Sequence, residues 1–259
     1  MRACILTVLL CLGLLTVLPV QAQGYRSYDL PGPEVGYGID HGFRFVRIQY
    51  ETVSYRRFPA WAYDFPTAEA NLHQAIERTT GLHLEGEPIV LTLLDEAIFD
   101  HPFLYLCEPG YWSLQPGEAD ALRTYLERGG FLLIDDFHDY GDGQLGPEWY
   151  NFYAIIKEVF PNRELIDLPP EHPIWSVYYD IDPLSARSTK AMSGEVPWLD
   201  EDDDTYLGIF DDNGRLMVLV CYNQDIGDGW EWPGGRNLGD ASTVSFQMAI
   251  NFIMYTMTH

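Results

Sequence analysis

Uninterrupted apolar runs alternate along the chain with stretches of helical spacing. Pro88 to Leu94, Phe103 to Cys107 and Phe131 to Ile134 are continuous runs bounded by breakers or charges, as a parallel strand covered on both faces requires. Phe43 to Tyr50 alternates imperfectly, with Phe43, Phe45 and Ile48 set against Arg44, Arg47 and Gln49, which predicts a strand near one side of a sheet. Pro66 opens a helix with Ala68, Leu72, Ala75, Ile76 and Thr79 on one face, and Gly81 stops it. A second helix lies between Tyr111 and Gly130, with Pro116 at its start, Leu122 and Leu126 four apart, and Gly129-Gly130 at its end. A third is predicted over 148–159, cut off by Pro161. Tyr206 to Phe210 and Leu216 to Tyr222 flank Asp211-Asp212-Asn213-Gly214, a hairpin signal. The last stretch, 241–257, reads as a helix with Val244, Met248, Ala249, Phe252 and Tyr255 inward. The breaker-rich segment 162–204 is assigned to loops, short strands and a lid-like excursion. Strand, helix, strand, helix, strand predicts an α/β protein: a three-layer, flavodoxin-like, mostly parallel doubly wound sheet with a C-terminal hairpin.

The chain has 259 residues, 47% of them hydrophobic, enough for one domain with a full core. Residues 1–22 read as a signal peptide: Arg2, an apolar run from Ile5 to Leu18, and a small residue, Ala22, at the cleavage position. Residues 23–42 form an extended leader, and 43–259 the domain. An exported protein, periplasmic or extracellular, is therefore expected. Loss of that segment removes one Arg and no acid, so the formal charge of −24 becomes more negative by one. Such a surface repels phosphate backbones and anionic headgroups, which argues against nucleic acid or, after cleavage, membrane as partner. Cys107 and Cys221 remain, both inside apolar runs, and read as core thiols, with a disulfide between them left open.

Several phrases carry a resemblance: Phe43-Arg44-Phe45 with Tyr50, the strand from His101 to Leu106, the run LRTYLERGGFLLIDD from Leu122 to Asp136, Phe160-Pro161, the block from Leu168 to Ile174, and Asn251 to Tyr255. With these the chain resembles the bacterial family known as domain of unknown function 4159, over more than four-fifths of its length. The resemblance implies a divergent glutamine amidotransferase-like fold, in which a Cys on a strand-to-helix turn is served by a distant His and Glu. Here the strand that would carry that turn runs into Asp135, Asp136, Phe137 and His138, with no Cys. Cys107, followed by Glu108-Pro109-Gly110, is a weak substitute and reads better as packing.

In an open parallel sheet, ligands sit outside the carboxyl ends of the strands. That rule gathers Glu108, Asp135, Asp136 and His138 along one rim as candidate ligand-binding residues, with His172 joining from a later loop. Adjacent carboxylates leaving a buried strand need backbone donors, a cation or a metal. Arg44, Arg47, Arg56 and Arg57 are available partners. In the plainest reading Asp136 caps the next turn and Asp135 pairs with an arginine. In the metal reading Asp135, Asp136, His138 and His172 surround a divalent ion, without a motif such as HExxH to support it. The acidic groups Asp200 to Asp204, Asp211 to Asn213, and Asp225 with Asp228 lack the spacing of a calcium loop and read as solvated. Trp149, Tyr150, Tyr153, Trp175, Trp230 and Trp232 offer sugar-stacking candidates that more often roof a core.

Two functions are consistent with these residues. The preferred one is a non-catalytic binding or interaction module, with a small molecule, a carbohydrate or an envelope protein as partner and no cofactor. The other is a metal-assisted hydrolase using the Asp/His group.

Overall fold

The computed structural model describes residues 42–53, 58–137, 139, 146–183, 205–234 and 239–259. The signal segment, residues 23–41 of the leader, Arg56, Arg57, His138 and Asp200 to Asp204 lie outside the described residues.

Apolar runs become strands where both faces are covered. β1 (Val46–Ile48), β3 (Ile89–Leu91), β4 (Phe103–Cys107), β6 (Phe131–Asp135) and β9 (Leu216–Tyr222) pair in parallel, and β8 (Thr205–Phe210) and β7 (Ile166–Asp167) continue the sheet antiparallel from β9. The result is a mixed α/β fold around a mostly parallel seven-stranded sheet, in the order β3-β1-β4-β6-β9-β8-β7. Phe103 faces Phe131, and Cys107 faces Asp135, in register along the central pair. The short strands β2 (Glu51–Thr52) and β5 (Trp112–Ser113) form a separate antiparallel pair that the apolar pattern does not announce.

Alternate side chains of each strand feed different cores. Leu104, Leu106, Leu132, Ile134, Val218 and Val220 pack with Leu122 and Leu126 of α2 (Glu118–Glu127) and with Phe152 and Ile156 of α3 (Pro147–Val159). Phe103, Tyr105, Phe131, Leu133 and Leu219 pack instead with Leu72 and Ile76 of α1 (Thr67–Thr79), Trp230 of α4 (Ile226–Glu231) and Phe252 of α5 (Gly239–Thr258). Among the described residues no helix is long and apolar enough to cross a membrane.

β1 lies between β3 and β4, one strand in from the border and so near one side of the sheet as expected. The polar position that suggested an exposed face is Arg47, which is wholly buried. Its Nε donates to Glu69 of α1, and its Nη1 donates to the carbonyls of Trp61 and Tyr63, both at 2.9 Å, and to the Cys107 sulfur. A buried cation is tolerable only with such a shell. Cys107 and Cys221 are both buried and unbridged.

Candidate functional site

Where a parallel strand ends, its chain must turn away from the sheet, and three strands here do so through a left-handed residue. Glu108 follows β4 with φ 50°, Asp136 follows β6 with φ 67°, and Asn223 follows β9 with φ 55°. Asp64, on the segment entering α1, has φ 62°, and these four are the non-glycine residues with positive φ among the described residues. All four are polar, and Glu108, Asp136 and Asn223 are almost wholly buried.

β6 delivers Asp135, whose carboxylate is anchored by backbone donors. Its Oδ2 accepts from the amides of Ile226 at 2.9 Å and Gly227 at 3.0 Å, and from the Tyr105 hydroxyl at 3.1 Å. Those amides open α4, where partial positive charge accumulates. Asp225 caps the same helix, its Oδ1 accepting from the Asp228 amide at 2.9 Å. Asp135 thus holds α4 against the strand ends, where an arginine was the expected partner. Asp225, expected to be solvated, is buried.

Docking α4 brings carboxylates from three loops together. Oxygens of Asp64, Asp136 and Asp225 lie within 4.8 Å of one another, and so do those of Asp64, Asp228 and Glu231. Gly227 makes room for this: a Cβ there would sit 2.8 Å from Asp64 Oδ2 and 2.9 Å from the Tyr105 hydroxyl oxygen. Burial, reinforced by Asp136 and Asp228, pushes the Asp64 carboxyl up to about 9, against the pull of Arg47. Each group offers oxygen ligands of the kind that suit a hard divalent cation.

Of the sequence candidates, Asp135 and Asp136 reach this rim. Glu108 also ends a rim strand, and its carbonyl accepts from the Tyr50 hydroxyl at 2.7 Å, but it is in neither carboxylate group. His138 lies outside the described residues. His172 is not brought to the rim. Its ring packs 5.3 Å from Tyr255 and 5.7 Å from Phe210, and the Tyr255 hydroxyl accepts from the amide of Leu216, the first residue of β9. That is the amino end of the sheet, about 16 Å from Asp135 at the usual rise per strand residue. Pro173 sets the reason: it starts a 3-10 turn that buries Ile174 and Trp175, while His172 Nδ1 caps the turn by accepting from Ile174.

Cys107 is enclosed, and burial holds its thiol well above the ordinary range. Trp230 and Trp175 belong to the core, Trp149 is nearly as deep, and Tyr150 and Trp232 are exposed. Asp64, Asp225 and Asp228 are the functional candidates that sequence reasoning missed or set aside.

Fold and rim together define a mostly parallel α/β protein with a partly buried cluster of carboxylates where β6 and β9 end. The chain belongs to the family of a domain of unknown function, DUF4159, whose model matches residues 44–257. Among curated proteins, none matches it.

Proposed function

We propose that this chain is an exported, non-catalytic ligand-binding module whose site is the acidic rim. The observation that carries the reading is the convergence of Asp64, Asp136 and Asp225 from three separate loops. Clustered carboxylates attract positive charge and accept from hydroxyls, so the matching ligand is a small molecule or envelope-protein segment bearing an ammonium group, a cation or several hydroxyls. Sites of this kind occur outside the carboxyl ends of parallel strands.

The order β3-β1-β4-β6-β9 supports a flavodoxin-like layering, in which the first strand lies second in the sheet and the chain then winds outward. It also supports an amidotransferase-like ancestry. Asp136 holds the left-handed position after the strand that would bear the nucleophilic Cys, and the neighbouring thiol, Cys107, is too buried to replace it. The hydrolase reading loses ground, because His172 stands at the other end of the sheet.

The test is thermal unfolding of the full chain in EDTA with spermidine, glucosamine oligomers and a lysine-rich peptide as probes. At least one should raise the Tm in a saturable manner, and Asp136→Asn should weaken that effect at least tenfold in probe concentration. If none of the three binds, or binding survives the substitution unchanged, the reading is wrong.

A further inference from the structure

His172 has no part in the rim, yet its imidazole holds a defined piece of structure. Pro173 opens the 3-10 turn Pro173–Trp175 and has no N–H, so the amide of Ile174 is the first donor of that turn. It comes before any acceptor the turn itself supplies. His172 Nδ1 accepts from it at 3.3 Å. An imidazole nitrogen accepts only while it carries no proton, so the capping form is the neutral ring with its hydrogen on Nε2. A proton on Nδ1 turns the acceptor into a donor facing another donor, and the Ile174 amide loses its partner.

The surroundings decide how readily that proton arrives. The half-buried ring lies 5.3 Å from Tyr255 of α5 and 5.7 Å from Phe210 at the end of β8. His259 stacks on the same tyrosine at 4.4 Å. Charges in the hairpin turn after Phe210 are answered locally: Asp211 pairs with Arg215, and Asp212 with Arg163. Glu171, beside His172 in the chain, is exposed. The face of a tyrosine attracts an imidazolium, but two histidines share this one, and charge on His259 opposes charge on His172. Burial first, then His259, hold His172 below the ordinary histidine value. Folding thus favours the neutral ring: the contribution of the cap is complete above about pH 6.5 and is lost as pH falls from there toward the native His172 value.

The cap secures more than one amide. Ile174 and Trp175 are enclosed in the core. Trp175 packs 4.8 Å from Tyr206 of β8 and 5.9 Å from Phe252 of α5, and its indole N–H donates to the Pro169 carbonyl at 3.1 Å. We propose that His172 is an acid-operated latch: protonation withdraws Nδ1 from the Ile174 amide and loosens the turn 173–175 together with the Trp175 it keeps in the core. The latch goes beyond ligand binding at the rim and does not depend on it, since it stands at the amino end of the sheet.

Two measurements on the full chain across a pH series test this. NMR of the histidine rings follows the proton on His172, and amide hydrogen exchange at Ile174, corrected for the intrinsic effect of pH, follows the turn. Protection at Ile174 should fall about threefold or more between roughly pH 7.5 and pH 5. The fall should share its midpoint with the His172 ring and leave Leu133 in the central strand β6 protected. His172→Asn supplies an acceptor that never titrates, so its Ile174 amide should stay protected throughout. The proposal is overturned if acid leaves Ile174 protection in the parent chain unchanged, if the Asn variant loses it equally, or if the His172 ring titrates at or above about 6.5. The first and last of these need no variant, so a substitution that fails to fold leaves them decisive.

Discussion

Replacing Asp64 with Asn interrogates the rim by removing one ionisable group while keeping its shape. Burial, followed by Asp136 and Asp228, places the native Asp64 carboxyl at about 9, whereas in the unfolded chain it titrates near 3.8. From about pH 4 to 9 the native chain without metal therefore retains a proton that the unfolded chain has released. Stability must fall as pH rises through that window, at up to about 1.4 kcal/mol per pH unit for one proton. Between pH 5 and 8 that amounts to at most about 4 kcal/mol, and solvent relaxation around a carboxyl of this kind leaves roughly half.

Asn cannot ionise, so Asp64→Asn should lack that portion of the slope. Urea unfolding of both proteins in EDTA, monitored by tryptophan fluorescence at several pH values from 5 to 8, measures it. From pH 5 to pH 8 the difference between variant and parent should shift by about 2–4 kcal/mol in the variant's favour. Parallel stability profiles would mean that Asp64 is ionised in the native rim and that the clustering of carboxylates does not control its proton.

Two other perturbations probe what surrounds the rim. Arg47→Met should cost about 3–5 kcal/mol by leaving Glu69 as a buried charge without its partner. Adding Glu69→Gln should restore a substantial part of the loss in denaturant titrations, and strict additivity of the two substitutions would refute the pairing. Cys107, enclosed and with its thiol pushed up by burial, should react with a thiol reagent at pH 8 only as fast as the chain unfolds. Labelling of Cys107 in the native state at the rate of a free thiol would contradict the packing seen here.

The central strands were legible because burial on both faces writes itself as an unbroken apolar run. Phe103–Cys107 was predicted to the residue, and Phe131–Asp135 to within one. That logic does not reach Arg47, the middle residue of β1, a charged side chain inside the core that is satisfied by Glu69 in the first turn of α1. Helix α4 escaped notice because IGDGWE holds two glycines, poor formers of an isolated helix. It exists through tertiary support: Asp135 and Asp225 bind its first amides, and Gly229 admits Ser245 where any larger residue would collide. The rim rule found Asp135 and Asp136 since they end a strand. It could not find Asp64, which lies in an aromatic loop and meets the others only once α4 has docked.

The backbone at the rim adds an argument that does not depend on charge. A left-handed conformation costs an L-residue roughly 1–2 kcal/mol, and glycine would adopt it freely. Asp64, Glu108, Asp136 and Asn223 nevertheless take it with side chains attached, the last three directly after strands and Asp64 on the segment entering α1. Asp and Asn tolerate this better than most residues, but Glu has no such advantage. Strain of this sort persists where the surrounding structure holds it and gathers at functional sites. Turn geometry alone is served better by glycine, so the polar side chains are what these positions retain. Two of the four, Asp64 and Asp136, are also the carboxylates through which the loops meet.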